Sequence, residues 1–427
     1  MKRQVLSLIF IYMMFATKAQ TKILEQANAL YQKKEYFTAL EKYEVICKKH
    51  SPYYVHAASR IAYCYWYMNQ PHKSEKILNE ISTHCDLNDS LKFFHAQVLK
   101  KLGRYKEAQE KISALKEKYQ TNNLYSRFHA SCDSAMEWIK NPAPYVVEEL
   151  KKINSPYSEI TPFLFKQNSL VFASNKEGMI IKKKSGMNGL PYYDLYITNP
   201  VQTDIMASEL YTEARPFSSK INSVHHEVSA CFNKSFDKMY FTRSRVYELN
   251  ESGDDKINRL KLFCATYQNG FWSEPYKFIF NDSTCSYGHS CMSPNEDLFF
   301  FASDMKGGYG GIDLYVCIKI DSLNWTTPIN LGPNINTEGD ELYPYYHADS
   351  TLYFASNGHI TMGGFDLFSC KEKYGEWGEV QNLKYPINSS YDDLSLFISD
   401  DKKYGFFSSN REGGAGEEDL YFFKLKD

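Results

Sequence analysis

The sequence has no long apolar run. The stretch from Val5 to Phe15 is too short to cross a bilayer, so no membrane span is expected. It also has no excess of charge: 49 Lys and Arg stand against 51 Asp and Glu. No polybasic stripe breaks that balance, which argues against nucleic acid and anionic membrane surfaces as partners. Paired C-x-x-C knuckles are missing, and with them the usual zinc modules. There is no Gly-x-Ser-x-Gly elbow for a serine hydrolase and no Ser-x-Asp-x-Gly-x-Thr-Trp turn for a glycosidase propeller. The Gly-rich loops lack a following Lys-Ser/Thr and a helix, so they are not phosphate cradles. These absences set the expectation: no catalytic residue, no cofactor and no metal.

What is present is aromatic and repetitive. The chain carries 34 Tyr and 28 Phe, which suits sheets packed face to face. One phrase recurs five times: an acid, a short apolar run, a glycine-bearing loop, then Asp-Leu-Tyr. The runs begin at Leu170, Met239, Phe299, Leu352 and Gly405. The closing triplets begin at Asp194, Lys261, Asp313, Asp366 and Asp419, the last three 53 residues apart. A period of that size built from aromatic strands implies a radial β-architecture.

Each internal copy is followed by a fourth strand, as at Trp325–Leu331 and Trp377–Leu383. The last copy has none, yet an orphan strand, Val146–Leu150, precedes the first. Five triplets and five offset fourth strands predict a closed five-bladed β-propeller over residues 145–427, completed by the strand near Val146. Closure removes sheet edges that would template aggregation. Six blades would need a copy that the repeat does not show.

The recurring Asp of Asp-Leu-Tyr reads as turn chemistry, a carboxylate accepting backbone N–H groups. Calcium is the alternative for clustered loop carboxylates, and Lys261 in one copy argues against it. A second set is more informative. Upstream of the aromatic strands stand Glu159, Glu227, Glu341 and Asp393, with His289 near that place in the third copy. They either cap turns or form a polar rim for a ligand at the propeller mouth. Ten cysteines permit disulfides in an exported protein. Cys64, Cys231, Cys264, Cys317 and Cys370 sit singly within elements and read as buried thiols. Cys285 and Cys291 are the local disulfide candidate.

Ahead of the strands the pattern is helical. The phrase Gly103-Arg-Tyr105-Lys-Glu-Ala108 has partial copies at Lys34 and Asn69, and Ala27, Ala62 and Ala96 each lie seven positions before a turn. This resembles three tetratricopeptide repeats over residues 22–118, with a capping helix at Leu124–Ile139. Asn141-Pro142-Ala143-Pro144 ends the helical pattern. In such families the first helices line a concave groove. That implies a partner-binding face made by Asn28, Tyr31, Ser59, Tyr63, Trp66, Phe93 and Gln97, suited to an extended or helical peptide. Tyr63 and Phe93 serve equally well as packing between repeats.

The start of the chain reads as a secretory leader over residues 1–19, with Lys2-Arg3, the apolar run, and Thr17-Lys18-Ala19 before Gln20. The order of leader, tetratricopeptide repeats (22–140) and WD/TolB-like propeller resembles a Bacteroidetes envelope family. Its members are periplasmic proteins of the OmpA-family or TolB-like propeller type, some tied to type IX secretion and gliding. The resemblance rests on Phe301–Tyr315 and Trp325–Glu341. It implies a periplasmic, non-enzymatic scaffold that binds envelope or secretion-machinery proteins. A glycan- or small-ligand-binding propeller is the alternative. Many relatives continue into an OmpA-like peptidoglycan-binding module. This sequence stops at Asp427, so peptidoglycan binding is not expected of it.

Overall fold

The computed structural model describes residues 18–48, 51–121, 123–177, 184–201, 211–244, 259–281, 284–321 and 324–426. The leader expectation falls outside them as far as residue 17. By packing, the chain divides into two units: Met1–Ser126 with Lys184–Leu190, and Arg127–Lys183 with Pro191–Asp427. No helix among the described residues is long and apolar enough to cross a membrane.

The first unit is helical. Helix α1 spans 18–32. It is followed by α2 (Tyr36–Ile46), α3 (Tyr54–Tyr67), α4 (Pro71–His84), α5 (Asp89–Lys101), α6 (Tyr105–Lys118) and α7 (Asn123–Lys140). The first six form three hairpins. Each first helix ends on a left-handed residue: Lys34, Asn69 and Gly103. That conformation stops a helix and turns the chain back. The three copies of the turn phrase occupy equivalent places. Ala27, Ala62 and Ala96 are fully buried, as are Ala39, Ser74 and Ala108 after the turns. Small side chains at both places let paired helices approach closely. Ser74 adds a bond, its hydroxyl donating to the Ala62 carbonyl at 2.8 Å. Residues 184–190 pack in this unit, where the Phe37 N–H reaches the Gly186 carbonyl at 3.0 Å. The helical pattern ends at Lys140, while the packing boundary falls within α7, after Ser126.

The second unit is a five-bladed β-propeller. Blade one is β2 (Glu159–Phe165), β3 (Ser169–Ser174), β4 (Asp194–Thr198) and β5 (Arg215–Pro216). Blade two is β6 (Glu227–Phe232), β7 (Lys238–Ser244), β8 (Leu260–Gln268), a side strand β9 (Phe271–Trp272) and β10 (Tyr276–Lys277). Blade three is β11 (Tyr287–Met292), β12 (Leu298–Ser303), β13 (Asp313–Ile318) and β14 (Ile329–Asn330). Blade four is β15 (Glu341–Tyr346), β16 (Thr351–Ser356), β17 (Asp366–Lys373) and β18 (Glu376–Asn382). Blade five combines β19 (Asp393–Ile398), β20 (Tyr404–Ser409) and β21 (Asp419–Leu425) with β1 (Tyr145–Glu149) from ahead of blade one. The orphan strand therefore does pair with the last one, with Val147 opposite Phe423 and Glu149 opposite Tyr421.

The middle strands are apolar on both faces because both faces are covered. Every residue of β3 and β16 is buried. Phe241 and Met239 pack toward Val171 and Leu195, while Tyr240 packs toward Phe299 and Phe301. A further layer joins Phe172 and Tyr196 of blade one to Phe406 and Phe422 of blade five. Burying a side chain of this size contributes about 1.5–3 kcal/mol.

The disulfide candidate is overturned, since all ten cysteines are free. Cys285 packs with Tyr240 and Phe299, whereas Cys291 packs with Phe300 and Tyr346 in the next layer. The two thiols lie in different inter-blade layers.

Candidate functional site

Glu159, Glu227, Glu341 and Asp393 open the innermost strands of four blades, and each is completely buried. Glu159 accepts from the Ser155 N–H at 2.9 Å, the Ser155 hydroxyl at 2.7 Å and the Ser174 hydroxyl at 2.7 Å. Glu341 repeats this with the Thr337 N–H at 2.8 Å, its hydroxyl at 2.6 Å and the Ser356 hydroxyl at 2.7 Å. Glu227 accepts from the Ser223 N–H at 3.1 Å and from Arg243 Nε at 2.8 Å, an arginine replacing the serine of the neighbouring strand. Asp393 accepts from the Ser389 N–H at 2.5 Å and from Arg411 Nη2 at 2.6 Å. Burial pushes the Glu159 and Glu341 carboxyls up, against the pull of these donors. Each acid fastens the turn between blades to the strand that follows.

His289 does not belong to that ring. Blade three opens on Tyr287, and His289 stands two residues further along. Lys261, in place of the recurring Asp, donates from Nζ to the Cys285 carbonyl at 2.6 Å and lies 5.3 Å over the Tyr287 ring. The two departures from the repeat, a missing acid and an added cation, therefore meet at one point.

The third residue of every innermost strand has a left-handed backbone. These are Thr161 (φ 56°), Ser229 (54°), His289 (54°), Tyr343 (51°) and Ser395 (46°). Each lies within a register shift, as between Gly288 and Cys291. A bulge frees an amide from the ladder and re-aims a side chain. The freed amides go to hydroxyls of adjacent blades. Ser229 N–H reaches Thr161 Oγ1 at 3.2 Å, Thr161 N–H reaches Ser395 Oγ at 3.1 Å, and His289 N–H reaches Thr242 Oγ1 at 2.9 Å. All five side chains line a central cavity of about 40 Å³. That is room for a few waters and too little for a sugar ring. His289 stacks on Tyr343 with centroids 3.9 Å apart, and desolvation lowers its pKa to about 3, so its ring stays neutral. His289 Nδ1 and Ser229 Oγ have no hydrogen-bond partner among the described residues. Thr161, Ser229, Tyr343 and Ser395 escape sequence reasoning because none is a glycine, the usual flag for a positive φ.

The Asp-Leu-Tyr carboxylates perform turn chemistry. Asp313 accepts from the Tyr309 and Gly310 N–H groups at 2.7 and 3.0 Å, and Asp366 does the same with Met362 and Gly363 at 2.7 and 3.1 Å. Among the described residues, no three His, Cys, Asp or Glu side chains gather as a metal would require.

In the helical unit, the expected groove residues lie on α1, α3 and α5, and all are half-buried. Asn28 accepts from the Tyr43 hydroxyl at 2.7 Å, and the Ser59 hydroxyl returns to its own helix at Val55. Tyr63 stacks on Phe94 at 3.9 Å, Trp66 meets the same ring edge-on, and Phe93 meets Tyr125. Part of the aromatic set is therefore packing. Tyr31 meets Tyr36 and Tyr67 edge-on and has Arg60 4.5 Å above its ring, while Lys101, 5.1 Å over Trp66, is itself buried. Gln97 shares this face of α5.

No family model matches the chain, and no curated protein matches it. Solved structures align with it at low identity. A structure assigned to TolB from Agrobacterium tumefaciens is 12% identical, with a TM-score of 0.36, covering 66% of this chain and 90% of that one. A glycoside hydrolase is 11% identical, with a TM-score of 0.41, covering 68% and 95%. An α-L-arabinofuranosidase from Lactobacillus brevis is 10% identical, with a TM-score of 0.38, covering 65% and 94%. At such values the propeller fold rests on this chain's own strand order, and the activities of these neighbours do not transfer.

Proposed function

We propose that this protein is a non-enzymatic scaffold of the cell envelope, exported by its leader, that holds a protein partner on a tetratricopeptide groove and carries a closed propeller as frame. The observation that carries this reading is that the four acids of the propeller repeat are buried and saturated by their own turns. The repeat serves as frame, and its carboxylates are not offered to a ligand. The helical face, by contrast, keeps the half-buried Tyr31 ring beneath the half-buried Arg60. A ring under a cation suits a peptide segment with carboxylates set among apolar side chains. Secretion or gliding components are the partner class suggested by the resemblance.

Affinity capture from envelope extracts tests the reading. Wild type should retain a discrete protein that Arg60→Glu loses without a change in melting temperature. Capture of the same proteins by both forms would overturn it, as would turnover in a broad hydrolase screen.

A further inference from the structure

The propeller has a second concavity, away from the central cavity and far larger. It is a cleft of about 470 Å³, lined by Arg127, Tyr309, Pro333, Glu338, His359 and Ile360 among others. A volume of this size is in the range of small-ligand sites, which begin at about 300 Å³. Backbone packs tightly at and next to its lining. A Cβ at Gly358, on the lining, would collide with the Thr337 hydroxyl, and one at Gly310, next to Tyr309, with the carbonyls of Thr337 and Gly339. Only glycine allows the chain segments to meet so closely, and the result is a preformed base.

The polar groups of the cleft are of mixed sign and partly fixed. Arg127 Nη2 donates to the Gly358 carbonyl at 2.8 Å, which anchors one arm of a fork with five N–H groups. His359 Nε2 lies 2.9 Å from the Ile335 carbonyl. A carbonyl only accepts, so Nε2 carries the proton, and burial keeps the ring neutral. Nδ1 is then an acceptor. Glu338 is exposed, and the Tyr309 ring is 50% exposed.

We propose that this cleft is a binding site for a neutral saccharide of one or two rings. One guanidinium and one carboxylate lining the same cleft offset each other's charge, which disfavours a phosphate or another compact anion. A polyol needs donors and acceptors side by side, and Arg127, Glu338 and His359 Nδ1 supply both. The open face of Tyr309 gives the apolar C–H side of a pyranose a flat surface.

The test titrates the purified full chain with glucose, galactose, N-acetylglucosamine and their β-linked disaccharides, by calorimetry and saturation-transfer NMR. At least one should bind. Tyr309→Ala and Glu338→Gln should each weaken it about tenfold with unchanged melting. Tyr374→Ala, at a fully exposed turn, should leave binding unchanged. Three results would overturn the assignment: no saccharide binding at millimolar concentration, binding that survives both cleft substitutions, or glucuronic acid or inorganic phosphate outcompeting the neutral sugars.

Discussion

Glu149, whose charge acts on Asp419 across the seam between the last strand of the propeller and the first, stands at the register where blades three and four place an asparagine. Asp313 receives an N–H from Asn330 and Asp366 from Asn382, each at 2.7 Å. Asn330 lies opposite Tyr315, Asn382 opposite Phe368, and Glu149 opposite Tyr421. Asp419 Oδ2 accepts the Gly416 N–H at 3.1 Å, but with no amide at that register Oδ1 is buried without a partner among the described residues. Burial raises its carboxyl to about 6, and the charges of Glu159 and Glu149 push the same way.

The seam is therefore predicted to be sensitive to pH. A carboxyl with a raised folded-state pKa binds its proton more tightly when folded. Its stabilisation is present below the ordinary aspartate range and is lost as pH rises through about 6. Glu149→Asn should supply the missing amide and raise stability at neutral pH by about 0.5–1.5 kcal/mol. It should also flatten the fall in melting temperature through that window. Calorimetric melting across the pH range checks both, and an unchanged or lowered melting point at neutral pH would count against the pairing.

Glu341 tests whether the buried acids are frame. Glu341→Ala removes the acceptor for three donors and should cost more than about 2 kcal/mol in denaturant unfolding. Glu341→Gln keeps one carbonyl oxygen and should cost less. Equal, negligible costs would contradict the assignment.

His289 should act in the opposite sense to Asp419. Its pKa is lowered by burial to about 3, so the neutral ring is favoured in the fold. That contribution is present above the ordinary histidine range and is lost as pH falls through it toward about 3. His289→Phe keeps a flat ring against Tyr343 and removes the titration. The variant should lose less stability than wild type on acidification, read as the difference in melting temperature. An identical acid profile would exclude the buried neutral ring.

The propeller was legible because its period is written in aromatic strands and in Asp-Leu-Tyr. The offset of the fourth strand even located the seam at Val146–Leu150. What stayed hidden depends on pairs. Nothing in the sequence links Lys261 to Tyr287, because the cation and the missing acid are far apart in the chain and meet only through the Cys285 carbonyl. His289 fell into the acid ring because blade three has no acid near its start, and a titratable residue two positions on was the nearest substitute. The bulges at Thr161 and Tyr343 carry no glycine, so their backbone gave no compositional sign. In the helical unit the turns were legible at Lys34, Asn69 and Gly103. Which rings are packing and which remain open was decided by neighbours such as Phe94 and Tyr125.

The central claim is that partners are held on the helical face and that the propeller repeat is frame. Site-specific photo-crosslinking in intact cells tests it most directly, with the probe at Gln97 on that face or at Tyr374 on an exposed propeller turn. The account predicts a discrete protein adduct from position 97 that Arg60→Glu abolishes, and none from position 374. Adducts from position 374 alone, or from both positions regardless of Arg60, would contradict it.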